Sequence, residues 1–342
     1  MSRKKVAAEV TANMIIRIGE TNMKILVLNP AITQEHKDRI KASAAKHNAE
    51  LAFAASEADI PAGFEEPDIV YGFGVNIARS CKKLKWLCVP SAGVDFICKP
   101  GSFANEDCIL TNSSGAYGVS IAEHIIAVSL MMMRCLTVYH SQILSGIWGT
   151  ERFHQKSLKG ARITVLGTGD IGTEFAKRAK VFEPAQIIGV CRSGECRESS
   201  FDKVLKVDAL DGILPQTDLL VMSLPATPET EDILNRKRIE ALPDGAYIVN
   251  VGRGNAIDED ALADNLDNGH LDGAALDVFK TEPLPAESRL WKTDRLLITP
   301  HVAGNLTLDH TLDKNVEMFL EDLDNYFEGR DLRYIVDRKK GY

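Results

Sequence analysis

Long hydrophobic runs are missing from this chain of 342 residues. The strongest apolar stretch, Ile125 to Met133, is interrupted by Ser129 and falls far short of the roughly 18–20 residues that a membrane span needs, so it reads as a buried helix. An excess of positive charge is missing too. The 40 Lys and Arg against 48 Asp and Glu leave a net charge of −8, a field that repels phosphate backbones and argues against nucleic acid as a partner. Seven cysteines, Cys81, Cys88, Cys98, Cys108, Cys135, Cys191 and Cys196, stand scattered and mostly within apolar stretches, where a free thiol packs as a small hydrophobe; a reducing cytoplasm fits. The Cys191/Cys196 pair has no second Cys or His pair at ligand spacing, so no metal is expected. No G-x-S-x-G elbow follows a strand, which disfavours a serine hydrolase. The first 22 residues contain Arg3, Lys4 and Lys5 but no continuous apolar core of a secretory signal. They read as an extension, either a short disordered arm or sequence ahead of a translation start at Met23.

What is present is ordinary globular composition, 45% hydrophobic and 26% charged, at a length that suggests two domains. From Met23 to Thr111, short β-rich runs (Lys24 to Leu28, Asp68 to Tyr71, Trp86 to Val89, Ile109 to Thr111) alternate with helical stretches such as Thr33 to His47. This predicts a small parallel α/β sheet. A long helix follows to Arg134, with Ser120 as its N-cap and Glu123 three residues on, linking two domains. A second α/β pattern begins at Arg162 to Leu166 and continues at Gln186 to Cys191, Leu219 to Ser223, Tyr247 to Val251, Gly273 to Asp277 and Leu296 to Thr299. Six strands with helices between them are the count of a doubly wound dinucleotide-binding domain. A last helix, Leu308 to Phe327, places Val316, Phe319, Leu320, Leu323 and Phe327 at helical spacing and should pack back on the first domain.

The chemistry concentrates at strand ends. Gly167-Thr-Gly169-Asp170-Ile171-Gly172 is a G-x-G-x-x-G placed directly after a strand and before a helix with Phe175, Ala176 and Ala179. Gly167 permits the tight turn, Gly169 lets the backbone approach a pyrophosphate, Gly172 lets helix and strand pack, and the helix N-terminus supplies N–H donors. An NAD site needs an acid about 20 residues further on, to hold the ribose hydroxyls. There the chain reads Cys191-Arg192-Ser193, so Arg192 and Ser193 are candidates for a 2′-phosphate and NADP(H) is favoured. The alternative is a surface Arg192 with Glu195 shifted in register to an NAD ribose.

Three polar residues follow late strands: Arg253, Glu282 and His301. A guanidinium binds a carboxylate bidentately, a histidine exchanges a proton with a neighbouring oxygen, and a carboxylate beside it fixes the imidazole tautomer. Together they describe 2-hydroxy acid and 2-keto acid redox chemistry. Each has a plainer explanation: a loop bridge for Arg253, a turn acid for Glu282, a satisfied core histidine for His301. A metal on His301 and Glu282 lacks a third ligand.

With these motifs in this order, the chain resembles the D-isomer-specific 2-hydroxyacid dehydrogenases from Met23 to Tyr342. The matching pieces are Ser91-Ala-Gly-Val-Asp95, Ala122-Glu123, the glycine fingerprint, Leu224-Pro225 with Thr227-Pro-Glu-Thr230, Val251-Gly-Arg-Gly254, Leu276-Asp-Val-Phe279, Glu282-Pro283 and Pro300-His301. The resemblance implies two doubly wound parallel-sheet α/β domains. A Rossmann cofactor domain (119–302) is inserted into a flavodoxin-like substrate domain (23–118 and 303–342), and the chain pairs as a homodimer. It implies an NAD(P)H-dependent oxidoreductase that reduces a small 2-keto acid to the D-2-hydroxy acid, NADP(H) favoured and NAD(H) open. Arg253 would orient the substrate, Glu282 would support His301, and His301 would protonate the carbonyl oxygen as hydride arrives at C2. Leu224, Pro225, Thr230, Val251, Gly252, Asp277 and Gly304 would join the glycine loop in holding the cofactor, and backbone around Phe73, Gly74 and Gly93 would hold the substrate carboxylate.

Two departures stand out. Asp170 occupies a position where many relatives carry arginine, and the ribose acid is missing. Relatives that oxidise formate carry glutamine in place of Glu282, and phosphoglycerate relatives usually append a regulatory domain. The alternatives are a non-catalytic NAD(P)-sensing binding protein of this fold and a dehydrogenase of a phosphorylated hydroxy acid such as 3-phosphoglycerate, for which Lys82, Lys83 and Lys85 are candidate contacts.

Overall fold

A computed structural model describes residues 22–149, 153–196 and 199–341; apart from Asn22, the expected N-terminal extension lies outside the described residues. The chain divides into two compact units, one comprising the residues up to Ala116 together with those from Leu306 on, the other Tyr117–Asn305. The crossings read from the sequence are 118/119 and 302/303.

In the first unit, Lys24–Leu28 (β1), Glu50–Ala54 (β2), Ile69–Gly72 (β3), Trp86–Cys88 (β4) and Ile109–Thr111 (β5) pair in the order β2-β1-β3-β4-β5, all parallel. This is the flavodoxin-like order, which reverses direction between β1 and β3. The inner strands β1 and β3 are nearly all apolar and buried, as strands covered on both faces must be. The helix Gln34–Lys46 (α1) begins at Thr33, whose hydroxyl accepts from the His36 amide while the His36 ring accepts from the Thr33 amide, a capping box with histidine in the usual place of glutamate. A short helix, Val75–Ser80 (α2), follows β3.

The second unit opens with two apolar helices, Gly118–Met133 (α3) and Leu136–Leu144 (α4). Then come Arg162–Leu166 (β6), Asp170–Ala179 (α5), Gln186–Cys191 (β7), Lys203–Lys206 (β8), Leu210–Ile213 (α6), Leu219–Met222 (β9), Arg236–Glu240 (α7), Ala246–Asn250 (β10), Glu259–Asp267 (α8), Leu271–Leu276 (β11) and Leu296–Ile298 (β12). All seven strands are parallel, in the order β12-β11-β10-β9-β6-β7-β8. This is the Rossmann order with one extra strand, and its switch point lies between β6 and β9, where ligands bind beyond the carboxyl ends. The last helix, Asp309–Phe327 (α9), returns to the first unit and packs Val316, Phe319 and Leu323 among Ile25, Ile69 and Trp86.

Three expectations are corrected. The sequence reading has four strands in the first sheet and six in the second, and each sheet has one more. Both missed strands, β2 and β8, lie at sheet edges, where partial exposure blurs the apolar pattern that marks an inner strand. The long helix starts at Gly118, not after Ser120; Tyr117 is its N-cap and makes no side-chain cap bond. Ser120 lies within the first turn and donates to the Tyr117 carbonyl at 3.1 Å, the back-bonding open to a helical serine. The whole helix belongs to the second unit and begins just after the crossing at Ala116. Among the described residues no single helix is long and apolar enough to cross a membrane; α3 and α4 reach that length and composition only together, across a 69° bend.

Candidate active site

The glycine loop joins β6 to α5. Gly167 holds φ at 101°, and a Cβ there would lie 2.8 Å from the Ser223 carbonyl oxygen; at Gly172 a Cβ would lie 1.9 Å from the Gly167 carbonyl oxygen. Both are filled by the fold itself. At Gly169 nothing stands within 4 Å of an added Cβ, so this glycine keeps open a surface above the N-terminus of α5, whose first-turn amides precede the helix's own hydrogen-bond ladder. That open cradle, a helix N-terminus facing it and the switch-point position fit a dinucleotide pyrophosphate.

Asp170 has a role that the sequence did not show. Its carboxylate accepts the Gly118 amide, the first of α3, and stands where a Cβ on Gly118 would come within 2.5 Å of it. The carboxylate of α5 thus caps α3, which lacks a capping side chain of its own. One oxygen, Oδ2, is buried without a hydrogen-bond partner, and burial pushes the carboxyl above the usual range against the pull of the Gly118 amide. Ile171 continues the first turn beside it.

At the carboxyl end of β7, Arg192 and Ser193 are both exposed. The Ser193 hydroxyl donates to the Glu195 carbonyl at 3.1 Å and accepts the Glu195 amide at 3.3 Å, closing a tight turn through Gly194. The charge of Arg192 adds to the local hydrogen bonds that hold the Glu229 carboxyl below its usual range, so Arg192 lies near the loop after β9. A cleft of about 410 Å³ beside the glycine loop is lined by Thr168, Gly169, Asp170, Thr173, Glu195 and Cys196, among others. Glu195, the alternative ribose ligand, borders this cleft. In the loop after β9, Leu224 leads into Pro225, and the Thr230 hydroxyl donates to the Pro225 carbonyl at 2.7 Å while accepting the Thr227 amide at 2.9 Å. Thr230 therefore fixes the shape of this loop.

The three polar candidates follow the ends of β10, β11 and β12, and two of them, Glu282 and His301, are in direct contact. Asn250, fully buried, accepts the Gly252 amide at 3.0 Å and donates to the Arg253 carbonyl at 3.0 Å, so one side chain sets the Val251-Gly252-Arg253 turn. The guanidinium of Arg253 donates from Nη1 to the Gly252 carbonyl at 2.8 Å. Gly254 must be glycine, since a Cβ would lie 1.9 Å from the Phe279 carbonyl carbon. That contact draws the Arg253 loop against the segment that leads to Glu282.

Glu282 is held by the Phe279 amide on Oε1 at 2.9 Å and meets His301 Nδ1 with Oε2 at 2.7 Å. With Nδ1 engaged, Nε2 is the ring nitrogen left for proton exchange with another molecule. His301 itself sits at φ 54°, a left-handed conformation that costs a residue with a side chain about 1–3 kcal/mol. The strain is held by a buried acid. Asp277, only 3% exposed, accepts the Thr299 hydroxyl at 2.6 Å, the Val302 amide at 2.9 Å and the Ala303 amide at 2.9 Å, while its carbonyl accepts the His301 amide at 2.9 Å. His124 of α3 lies 3.4 Å from the same Thr299 hydroxyl, and burial holds its imidazole below the ordinary value even with Asp277 nearby. Gly304 follows this loop, and a Cβ there would crowd Tyr117 at 3.1 Å. Asp277 thus works through the backbone of the histidine loop, a role invisible from its place in Leu276-Asp-Val-Phe279. Asn250 and His124 were missed altogether, and a buried Asn at a strand's last position was the available signal for the first.

In the first unit, Gly74 is the N-cap position of α2, Phe73 is exposed, and the Ser91 hydroxyl donates to the Gly93 carbonyl at 2.7 Å. Lys83 and Lys85 are engaged by Glu66 at 2.7 Å and Asp68 at 2.8 Å. Among the described residues no cluster of three metal-ligating side chains occurs.

A sequence model of the D-isomer specific 2-hydroxyacid dehydrogenase NAD-binding domain matches residues 126–303. The D-3-phosphoglycerate dehydrogenase of Methanocaldococcus jannaschii is 31% identical over 284 residues, covering 82% of this chain and 53% of that protein; this chain spans about half its length. The crystal structure of a D-isomer specific 2-hydroxyacid dehydrogenase family protein from Aeromonas salmonicida superposes with a TM-score of 0.80 at 32% identity, covering 93% of this chain and all of that one. A second, from Xanthobacter autotrophicus Py2 in complex with NADPH and MES, gives a TM-score of 0.77 at 26% identity over 94% of this chain and all of that one. On the matching domain, the two parallel sheets and the glycine loop together, this chain belongs to the D-isomer-specific 2-hydroxyacid dehydrogenase family of NAD(P)-dependent oxidoreductases.

Proposed function

We propose that this protein reduces a small 2-keto acid to the D-2-hydroxy acid and uses NADPH in preference to NADH. The observation that carries the reading is the Glu282–His301 pair, closed at 2.7 Å on a loop that Asp277 holds. The bound reduced nicotinamide supplies the hydride. Gly167, Gly169, Asp170, Ile171 and Gly172 would hold its pyrophosphate through backbone, with Leu224, Pro225, Thr230, Val251, Gly252 and Gly304 along its length. Arg253 takes the substrate carboxylate and carbonyl through its fork of donors. His301 gives the proton from Nε2 to the carbonyl oxygen, and Glu282 steadies the ring while it is charged. In the first unit, backbone around Phe73, Gly74 and Gly93 is assigned to the carboxylate. Arg192 and Ser193 support the choice of NADPH, because both are exposed at the end of β7 and no acid occupies the strand end itself.

The phosphoglycerate reading is supported by the names of relatives such as the Methanocaldococcus protein and opposed by the engagement of Lys83 and Lys85 by acids. We place the chain in the cytoplasm on its seven unpaired thiols. We also assign it a homodimer, supported by the exposed apolar side chains Leu144, Ile147 and Trp148 at and beyond the end of α4, the last 87% exposed. The test of function is loss of 340 nm absorbance with NADPH and with NADH against glyoxylate, pyruvate, hydroxypyruvate, 2-ketoisocaproate, phenylpyruvate and 3-phosphohydroxypyruvate. Turnover of an unphosphorylated keto acid, faster with NADPH, is expected. Turnover of the phosphorylated acid alone moves the substrate to the phosphoglycerate class, and cofactor binding without turnover of any acid overturns the enzymatic reading.

A further inference from the structure

The thiols of this chain fall into two environments. Burial pushes Cys88 and Cys108 up to about 12 and Cys98 up to about 11, and it raises Cys135 as well. Cys191 goes the other way. Burial would raise it, but hydrogen bonds from Ser193, Thr168 and the backbone of Gly194 and Glu195 outweigh that and bring it below the ordinary thiol value. The geometry accounts for this. After β7 the chain turns through Gly194 at φ 72°, which brings the Ser193 hydroxyl to 3.4 Å from the Cys191 sulfur and the Gly194 and Glu195 backbone within hydrogen-bonding reach of it; the protonated thiol donates to the Glu195 carbonyl at 3.5 Å. Such a turn, gathering donors around one atom, is an anion-stabilising concavity. Thr168 of the glycine loop closes it from the other side. The second cysteine, Cys196, donates from Sγ to the carbonyl of the same Thr168 at 3.7 Å and lines the cleft beside the glycine loop. Two thiols therefore flank one residue of that loop, one of them placed to ionise and the other bordering a cleft.

We infer that Cys191 and Cys196 form a hydroperoxide-sensitive pair, with Cys191 the thiol that is oxidised and Cys196 the thiol that resolves it. The Cys191 thiolate attacks a hydroperoxide oxygen, so that a sulfur–oxygen bond forms, the oxygen–oxygen bond breaks, and the leaving oxygen takes a proton as water or an alcohol. Sulfur is oxidised by two electrons and the peroxide reduced by two. Cys196 then attacks the sulfenic sulfur, the sulfur–sulfur bond forms, and hydroxide departs with the thiol proton as water. The link ties the turn after β7 to the segment beside Thr168, next to the open cradle of Gly169, and so weakens cofactor binding. This last consequence rests on the proposed assignment of the glycine loop and the β7 end to the cofactor; the thiol chemistry does not.

The test uses the reduced full-length protein with hydrogen peroxide at a few molar equivalents. Trypsin cuts after Arg192 and Arg197, so a Cys191–Cys196 bond joins two peptides with the loss of two hydrogens, read by mass spectrometry. The joined peptides are expected while Cys98 and Cys135 stay reduced. In Cys196→Ser, Cys191 should instead accumulate as a dimedone-trapped sulfenic acid. In the untreated protein, limiting iodoacetamide at pH 7 should modify Cys191 at least tenfold faster than Cys98 or Cys135. Oxidation of Cys98 or Cys135 at the same peroxide dose, or no joined peptide in the wild type, overturns the pair. NADPH fluorescence titration before oxidation, after it and after dithiothreitol is the separate arm, with at least tenfold weaker, reversible binding expected. Unchanged binding by a protein that does form the link overturns the cofactor consequence and leaves the thiol pair standing.

Discussion

The two ends of the cofactor-type sheet are built on opposite plans. At β10 to β12, two buried polar side chains, Asn250 and Asp277, make five hydrogen bonds, four of them to backbone, and the residues they set in place, Arg253 and His301, stand further out. Among the described residues, no buried polar side chain anchors the end of β7 in that way. The turn of Cys191, Arg192 and Ser193 is shaped by hydrogen bonds within the turn and from Thr168, and Arg192 and Ser193 are exposed. The difference matches the roles proposed for each end, proton transfer at one and a cofactor phosphate at the other. Proton transfer tolerates little misplacement, so its residues are fixed from below by groups that water cannot reach. Recognition of one cofactor phosphate needs a charge within reach of a long arm, and an exposed turn provides it.

The sharpest way to break the first plan is at its outermost residues. His301→Ala and Arg253→Ala should each lower kcat/KM by about 10²–10⁴-fold, the range for losing a positioned proton donor or charge, with circular dichroism and NADPH binding close to wild type. Retained turnover in either variant would remove that residue from the chemistry. Next comes the anchor. Asp277→Ala leaves the Thr299 hydroxyl and the Val302 and Ala303 amides without their acceptor, at a cost of about 1–3 kcal/mol for each group left unsatisfied. Both the urea midpoint and kcat should fall, and Asp277→Asn should recover part of each. At the other end, Arg192→Ala should touch neither stability nor kcat. It should lower kcat/KM for NADPH about 10-fold, roughly the worth of one charge-assisted hydrogen bond, and leave that for NADH nearly unchanged; equal losses with both cofactors would turn the reading toward Glu195 and NAD.

The smallest effect concerns Asp170, between the two ends. Its carboxyl is raised by burial, so the folded state resists its ionisation, and the group costs stability as pH climbs past its folded value. Asp170→Asn keeps an acceptor for the Gly118 amide and removes that cost. The variant should match wild type near pH 3 and unfold at a higher urea concentration at pH 7, with no change in the Arg253 or His301 chemistry.

Residues that act through the local chain were legible from the sequence alone. The G-x-G-x-x-G after β6, Arg253 after β10 and His301 after β12 stand just past strand ends, Glu282 precedes a proline, and inner strands announce themselves by unbroken apolar runs such as Leu219–Met222. Residues that act through distant contacts were not. In the sequence Asp170 is only an acid where many relatives carry arginine, yet its carboxylate caps a helix some fifty positions earlier in the chain. Ser120 and Glu123 imitate a capping box inside a helix that had already begun. Strands β2 and β8 escaped notice because an edge position relaxes the demand for apolar residues on which the reading of a strand depends.

The return of α9 to the first unit governs the order in which this protein can be completed on the ribosome. Phe319 stacks on Tyr71 at 4.3 Å and lies 5.6 Å from Trp86, so one apolar face of the sheet begun by β1 waits for residues made after the whole inserted unit. The inserted unit has all of its strands once Asn305 has emerged, before α9 exists. Domains fold as units during synthesis, generally the N-terminal one first. Here the unit whose strands are made before the inserted one is completed after it, and those early strands must stay unaggregated until α9 arrives.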